Sequence, residues 1–166
     1  MFLINLLGFD FLWFGLVFWG NIFTPCAILF LCLHFYFISN NRRREFFLVT
    51  TVALIGIIVD STLHLIGVFI FPETSIIPIW LVTLWLCFGA TLCHSLNFLQ
   101  HSKVLQCLVG AFLAPLSYLA GKQLNVVSFS LSNSQTFMVL AFIWGLLMLL
   151  FFTLKSHLVK EEINYA

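Results

Sequence analysis

Residues 137–152 read FMVLAFIWGLLMLLFF and residues 48–58 read LVTTVALIGII. Both runs are apolar on every face of a helix, and neither has the strict in-out alternation of a barrel strand. A helix of that kind lies in a large protein core or in a membrane. Composition decides between the two. Of 166 residues, 62% are hydrophobic and 8% charged, against about 25% charged in an ordinary soluble domain. Mean hydropathy is +1.11. The chain reads as a polytopic, all-α membrane protein. Seven Lys+Arg against six Asp+Glu give a net charge of +1, which leaves no basic stripe for nucleic acid. The 21 phenylalanines exclude disorder.

Crossing about 30 Å of hydrocarbon takes roughly 20 residues, so six helices use about 120 and leave only short loops and tails. The apolar runs place spans at 2–20, 22–39, 46–71, 77–99, 104–120 and 136–154, in one integral membrane domain. Gly20-Asn21 separates the first two. The second is short, which makes it either nearly upright or half of a tight hairpin with the first. Asn40-Asn41-Arg42-Arg43-Arg44-Glu45 ends it, Pro72-Glu73-Thr74-Ser75 ends the third, and Gln100-His101-Ser102-Lys103 ends the fourth. A polar loop at 121–135 precedes the last span, and the tail carries Lys155, Lys160, Glu161 and Glu162.

Charge sets the orientation. With the N-terminus inside, Arg42, Arg43, Arg44, Lys103, Lys155 and Lys160 are cytoplasmic and only Lys122 lies outside. Both termini are therefore expected in the cytoplasm. Trp19 and Trp80 fall at the outer interface and Tyr36 near the inner one, as belt residues do. The N-terminal run lacks a basic n-region and carries Asp10, so it reads as a retained helix rather than a signal peptide.

Cys26, Cys32, Cys87, Cys93 and Cys107 form no CxxC pair, so neither a disulfide framework nor a zinc site is expected from them. No nucleotide, protease or hydrolase motif occurs, and no cofactor or metal is expected. Ionisable residues inside a bilayer are costly and thereby become candidates for function. Here they are Asp10, His34, Asp60, His64 and His94. Gly56, Asp60 and His64 recur every four residues, with Gly67 three further on, along one helical face. An Asp60–His64 couple on that face suits proton transfer or polar ligand binding; the plain alternative is a packing pair. Thr83, Cys87, Thr91, His94 and Ser95, with Asn97, form a second stripe, and Gly110, Ala114, Ser117 and Gly121 a third, beside Tyr118 and the helix-interior Pro115. Both stripes also suit plain helix association.

At 1.5 Å per residue, Asp60 and Tyr118 lie roughly 21 Å from the cytoplasmic ends of their helices, His34 and His94 about 8 Å, and Asp10 about 12 Å. This predicts an outer polar layer of Asp60, His64, Ser117 and Tyr118. An inner layer holds His34, His94 and Asn97, and Asp10 lies between.

Three stretches, 56–61 (GIIVDS), 78–96 (PIWLVTLWLCFGATLCHSL) and 114–121 (APLSYLAG), resemble a family of small bacterial inner-membrane proteins, domain of unknown function DUF2878. Where that family has Asn before its histidine, this chain has Cys93. The resemblance implies a multi-pass inner-membrane location and carries no assigned activity. Members often lie near genes resembling cyclopropane-fatty-acid synthase, which implies a link to membrane-lipid metabolism. In size and layout the chain is also similar to membrane components of vitamin transporters and to a rod-shape subunit, an analogy of architecture alone.

Three readings compete. The first is a component that binds a membrane partner, a second copy of itself or an apolar ligand within the lipid bilayer. A second is a small transporter or substrate-capture subunit with Asp60 and His64 near its site. The third, an intramembrane lipid-modifying enzyme, is the least favoured, because an aspartyl mechanism needs two carboxylates and Asp10 does not match Asp60 in depth. Candidate functional residues are Asp60, His64, His94, Ser95, Ser117, Tyr118 and Asp10.

Overall fold

A computed structural model describes residues 2–71 and 76–159. The loop at 72–75 and the tail residues Lys160, Glu161 and Glu162 lie outside the described residues. Six α-helices follow in order: α1 (Phe2–Trp19), α2 (Thr24–Phe37), α3 (Arg42–Leu65), α4 (Ile79–Gly89), α5 (Lys103–Gln123) and α6 (Asn133–Leu158). A two-residue antiparallel ladder joins β1 (Phe69–Ile70) to β2 (Ser128–Phe129).

α1 and α2 form a hairpin. Gly20 takes a positive φ of 56°, a conformation that costs a glycine nothing, and a short 3₁₀ turn then turns the chain back. The rings of Phe11 and Phe30 meet at 5.7 Å across the two arms. Among the described residues, four helical runs are by length and composition long and apolar enough to cross a membrane. They are Phe2–Phe37, which is this folded hairpin, and the helices α3, α5 and α6.

Two helices end earlier than their apolar runs. α3 stops at Leu65 instead of continuing to Phe71, because Gly67, at φ 77°, closes a Schellman turn. The Val68 amide donates to the Leu63 carbonyl at 2.9 Å and the Gly67 amide to the His64 carbonyl at 3.0 Å. Gly67 is thus a terminator rather than part of a packing face. α4 is only 11 residues long and stops at Gly89, not at residue 99. Beyond it the amides of Thr91, Leu92 and His94 bond three residues back, and the Thr91 hydroxyl takes the Phe88 carbonyl at 2.6 Å. A hydroxyl that competes for a helix carbonyl loosens the α-helical ladder. The irregular stretch is tolerated because Ala90, Thr91, Leu92 and Ser95 are buried in protein.

Glycines let the helices close on one another. A Cβ on Gly56 would stand 2.1 Å from the Trp85 ring, so α4 seats its indole directly on α3. Gly110 does the same for α5 against the Trp144 carbonyl of α6, where a Cβ would come within 2.5 Å. Trp85 and Trp144 stack at 5.0 Å in the middle of the core, with Leu48, Val52, Leu140 and Phe151 around them. Large apolar side chains such as Ile58, Phe112 and Phe142 face outward, as befits a protein whose solvent is hydrocarbon.

Hydrogen bonds tie the two ends of the bundle. At one end Asn5 accepts from Ser95, Gln106 donates to the Leu99 carbonyl, and Lys155 donates to Asn97. At the other, Asn21 accepts the Trp80 amide at 3.0 Å and Lys122 donates to Asn133. The start of α1 and the end of α6 therefore share an end.

Gly56→Ala is expected to destabilise the protein by about 1–3 kcal/mol through overpacking against Trp85. Gly8→Ala, where an added Cβ meets nothing within 4 Å, is expected to leave stability unchanged or raise it slightly. Thermal unfolding of the two variants in detergent, followed by tryptophan fluorescence, checks the contrast.

Candidate functional site

Between α1 and α5, with α4 beneath and α6 behind, lies a cavity of about 440 Å³. Its walls are mostly aliphatic and aromatic, among them Phe9, Leu84, Trp85, Phe88 and Leu113. The polar groups that reach it are few: Asp10, Thr91, Ser95, Ser117 and Tyr118. α1 and α5 are linked across it where the Trp13 indole N–H donates to the Ser117 hydroxyl at 2.8 Å. Small residues on α5, Ala114 and Ser117, leave the space open, since neither carries a side chain long enough to fill it.

Asp60 stands directly behind the wall of this cavity. It is 1% exposed. The Trp85 indole N–H donates to its Oδ2 at 2.7 Å, and the Tyr118 hydroxyl donates to its Oδ1 at 2.8 Å and lies 3.0 Å from Oδ2. Trp85 and Tyr118 both line the cavity, so one carboxyl group from α3 orients two of its wall residues, from α4 and α5. Phe69 of the ladder stacks on the Tyr118 ring at 5.1 Å and holds it from the far side.

The expected outer layer is therefore assembled in part. Asp60 and Tyr118 are in contact and Ser117 joins them around the cavity, but His64 does not. Its Nδ1 lies 3.1 Å from the Phe69 carbonyl and its ring packs on Phe71. The Asp60–His64 couple does not form, for a physical reason. Asp60 points inward to two aromatic donors, whereas His64 sits in the last helical turn, where the Schellman reversal brings a backbone carbonyl to it. Asp10 is exposed on α1 at the cavity lip, apart from both layers. Ser95 is buried and bonds Asn5 through its hydroxyl at 2.6 Å and its amide at 3.1 Å.

The inner layer differs more. His34 and His94 do meet, with ring centroids 4.8 Å apart, but they meet around Glu45. His34 Nε2 is 2.7 Å and His94 Nε2 2.8 Å from the same Glu45 oxygen, Oε1. Asn97 is elsewhere, accepting from Lys155. In the sequence Glu45 closes the charged run at 42–45 and serves only to mark the end of the second span. The available signal was its place in the first turn of a helix, where an acid favours the N-terminal dipole and its side chain stays with the bundle end. Trp13, Trp85 and Asn5 were likewise missed as polar partners, because an indole or amide inside an apolar run reads as packing.

Removing the Asp60 carboxyl strands two buried donors, each at a cost of about 1–3 kcal/mol. Asp60→Ala is therefore expected to unfold at clearly lower temperature than Asp60→Asn, which keeps an acceptor, and Tyr118→Phe is expected to lie between Asp60→Asn and Asp60→Ala. Thermal melts of the three detergent-solubilised variants test the order.

No curated protein and no solved structure matches the chain significantly. A family model matches residues 2–150, nearly the whole chain, including both the cavity and the histidine cluster. The chain belongs to the family described as a protein of unknown function, DUF2878.

Proposed function

We propose that the protein is a multi-pass inner-membrane protein that binds a single acyl-chain-bearing lipid in the cavity between α1, α4 and α5, as a component of membrane-lipid metabolism. The observation that carries this reading is the cavity itself. At about 440 Å³ it falls in the range of small-molecule sites, about 300–1,000 Å³, and it has the usual apolar wall with a few fixed polar groups. Its apolar lining suits a hydrocarbon chain. Ser117, Tyr118 and Asp10 supply hydrogen-bonding groups for a polar head, and Asp60 fixes one of them in place. Substrate capture for a partner protein, or for a second copy of this chain, is the second reading. It is favoured by Asp10, an acid on the cavity lip where a cationic or hydroxylated group can meet it.

Native mass spectrometry of protein extracted in mild detergent is expected to show one retained lipid per chain. Ala114→Phe, which fills the cavity from α5, is expected to lose it. Retention of that lipid by a folded Ala114→Phe variant overturns the reading.

The topology that goes with this function has six crossings and cytoplasmic termini. Arg42, Arg43, Arg44, Lys103 and Lys155 belong to the helix ends that gather around Asn5 and Ser95, and Lys122 belongs to the opposite end, which is the asymmetry that orients membrane proteins. α4 and the turns after it serve as one crossing, protected by the helices around them. Reporter fusions at Asn41, Ser102 and the C-terminus are expected to read cytoplasmic, and one at Asn133 periplasmic. A periplasmic C-terminal fusion contradicts this topology.

A further inference from the structure

His34, Glu45 and His94 reach one point from three separate elements: the last turn of α2, the first turn of α3 and the irregular turns after α4. Their ligand atoms all lie within 4.8 Å of one another. Glu45 is 3% exposed and His34 8%, so the group is built into the bundle end and does not lie on its surface. Ser39, whose amide bonds the His34 carbonyl at 3.1 Å, is buried beside this group.

We propose that His34, Glu45 and His94 form a binding site for a divalent first-row transition-metal ion. Two imidazole nitrogens and one carboxylate are a recurring donor set for zinc and for non-haem iron, and they leave coordination positions open for water or an exchangeable ligand. The arrangement fits that use. Both Nε2 atoms lie against the same carboxylate oxygen, so release of their protons when a cation binds leaves three ligand atoms around one small volume. In a tetrahedral site with bonds of about 2.1 Å, neighbouring ligand atoms stand about 3.4 Å apart. The contacts of 2.7 and 2.8 Å open to that spacing by about 0.6–0.7 Å through side-chain rotation, with all three ligand atoms already within 4.8 Å of one another. A dication there also neutralises a buried carboxylate, which otherwise requires a charged partner. No cysteine takes part, which favours ions that accept nitrogen and oxygen over those that demand sulfur. The site is separate from the lipid cavity, whose lining includes none of the three residues.

The test uses the full chain, purified in detergent with any affinity tag removed, stripped with EDTA and titrated with Co²⁺ alone. The expected result is one Co²⁺ per chain with a visible absorption band, displaced by Zn²⁺, and a thermal midpoint that rises with metal concentration. Parallel titrations with Mn²⁺ and Fe²⁺ rank the preference. Glu45→Gln and His94→Ala are expected to weaken binding about tenfold or more, and His101→Ala, an exposed histidine in the loop before α5, to leave it unchanged. Absence of stoichiometric Co²⁺ and Zn²⁺ binding by folded wild-type protein overturns the proposal, as does unaltered binding by folded Glu45→Gln and His94→Ala. If the variants do not fold, the wild-type stoichiometry and thermal shift decide alone. Lipid retention is a separate readout, so failure of the cavity reading leaves this titration intact.

Discussion

A carboxyl group inside an apolar bundle has no water to turn to, and at Asp60 this requirement organises three helices. Its acceptors are met by Trp85 of α4 and Tyr118 of α5. For the indole to reach, α4 must lie flat on α3, which the missing side chain at Gly56 permits. With Trp85 in that position, Trp144 can stack on it and bring in α6, and Gly110 lets α5 close on α6 in turn. The polar contact thus sets the register, while the aromatic stack and the buried aliphatic residues around it supply the bulk of the packing. In a bilayer the hydrophobic effect does little to choose one helix pairing over another, so close approach and satisfied polar groups carry more of the specificity.

The same residues shape the cavity. Trp85 and Tyr118 are at once partners of Asp60 and parts of the wall, so the volume beside them is bounded by side chains that cannot easily rotate. Opposite them stands α1, tied to α5 by an indole-to-hydroxyl bond from Trp13 to Ser117. One wall is therefore rigid, and the other is held by this link near its middle and by the bonds of Asn5 and Asn21 toward its ends.

How much of this was legible in the sequence depends on what kind of signal each feature leaves. The apolar runs announced helices, and their breaks at Gly20 and near residues 40–45 are close to the observed ends. Depth arithmetic put Asp60 beside Tyr118 because rise per residue is fixed in a helix, and it put His34 beside His94 although His94 lies in the turns after α4. The ends of α3 and α4 were not legible from hydropathy, since the segments beyond Leu65 and Gly89 remain apolar while the backbone stops being helical. Gly67 was visible but ambiguous: a glycine at helical spacing serves equally as a packing notch or as a left-handed terminator. The Asp60–His64 pairing was an error of direction, because spacing fixes the face of a helix but not which neighbour a side chain prefers once other helices arrive. Glu45 was missed for the opposite reason. With three arginines beside it, it reads in the sequence only as the end of a span, although the first turn of a helix can send one side chain outward and the next one in.

The partners of Asp60 also carry a statement about time. Trp85 follows it by 25 residues and Tyr118 by 58. A chain inserted from its N-terminus therefore delivers α3 to the bilayer with its carboxyl still waiting for both donors. The indole arrives with α4 and the phenol only with α5. Until then the acid is a destination that later helices must find, and the order of synthesis becomes the order in which the bundle acquires its register.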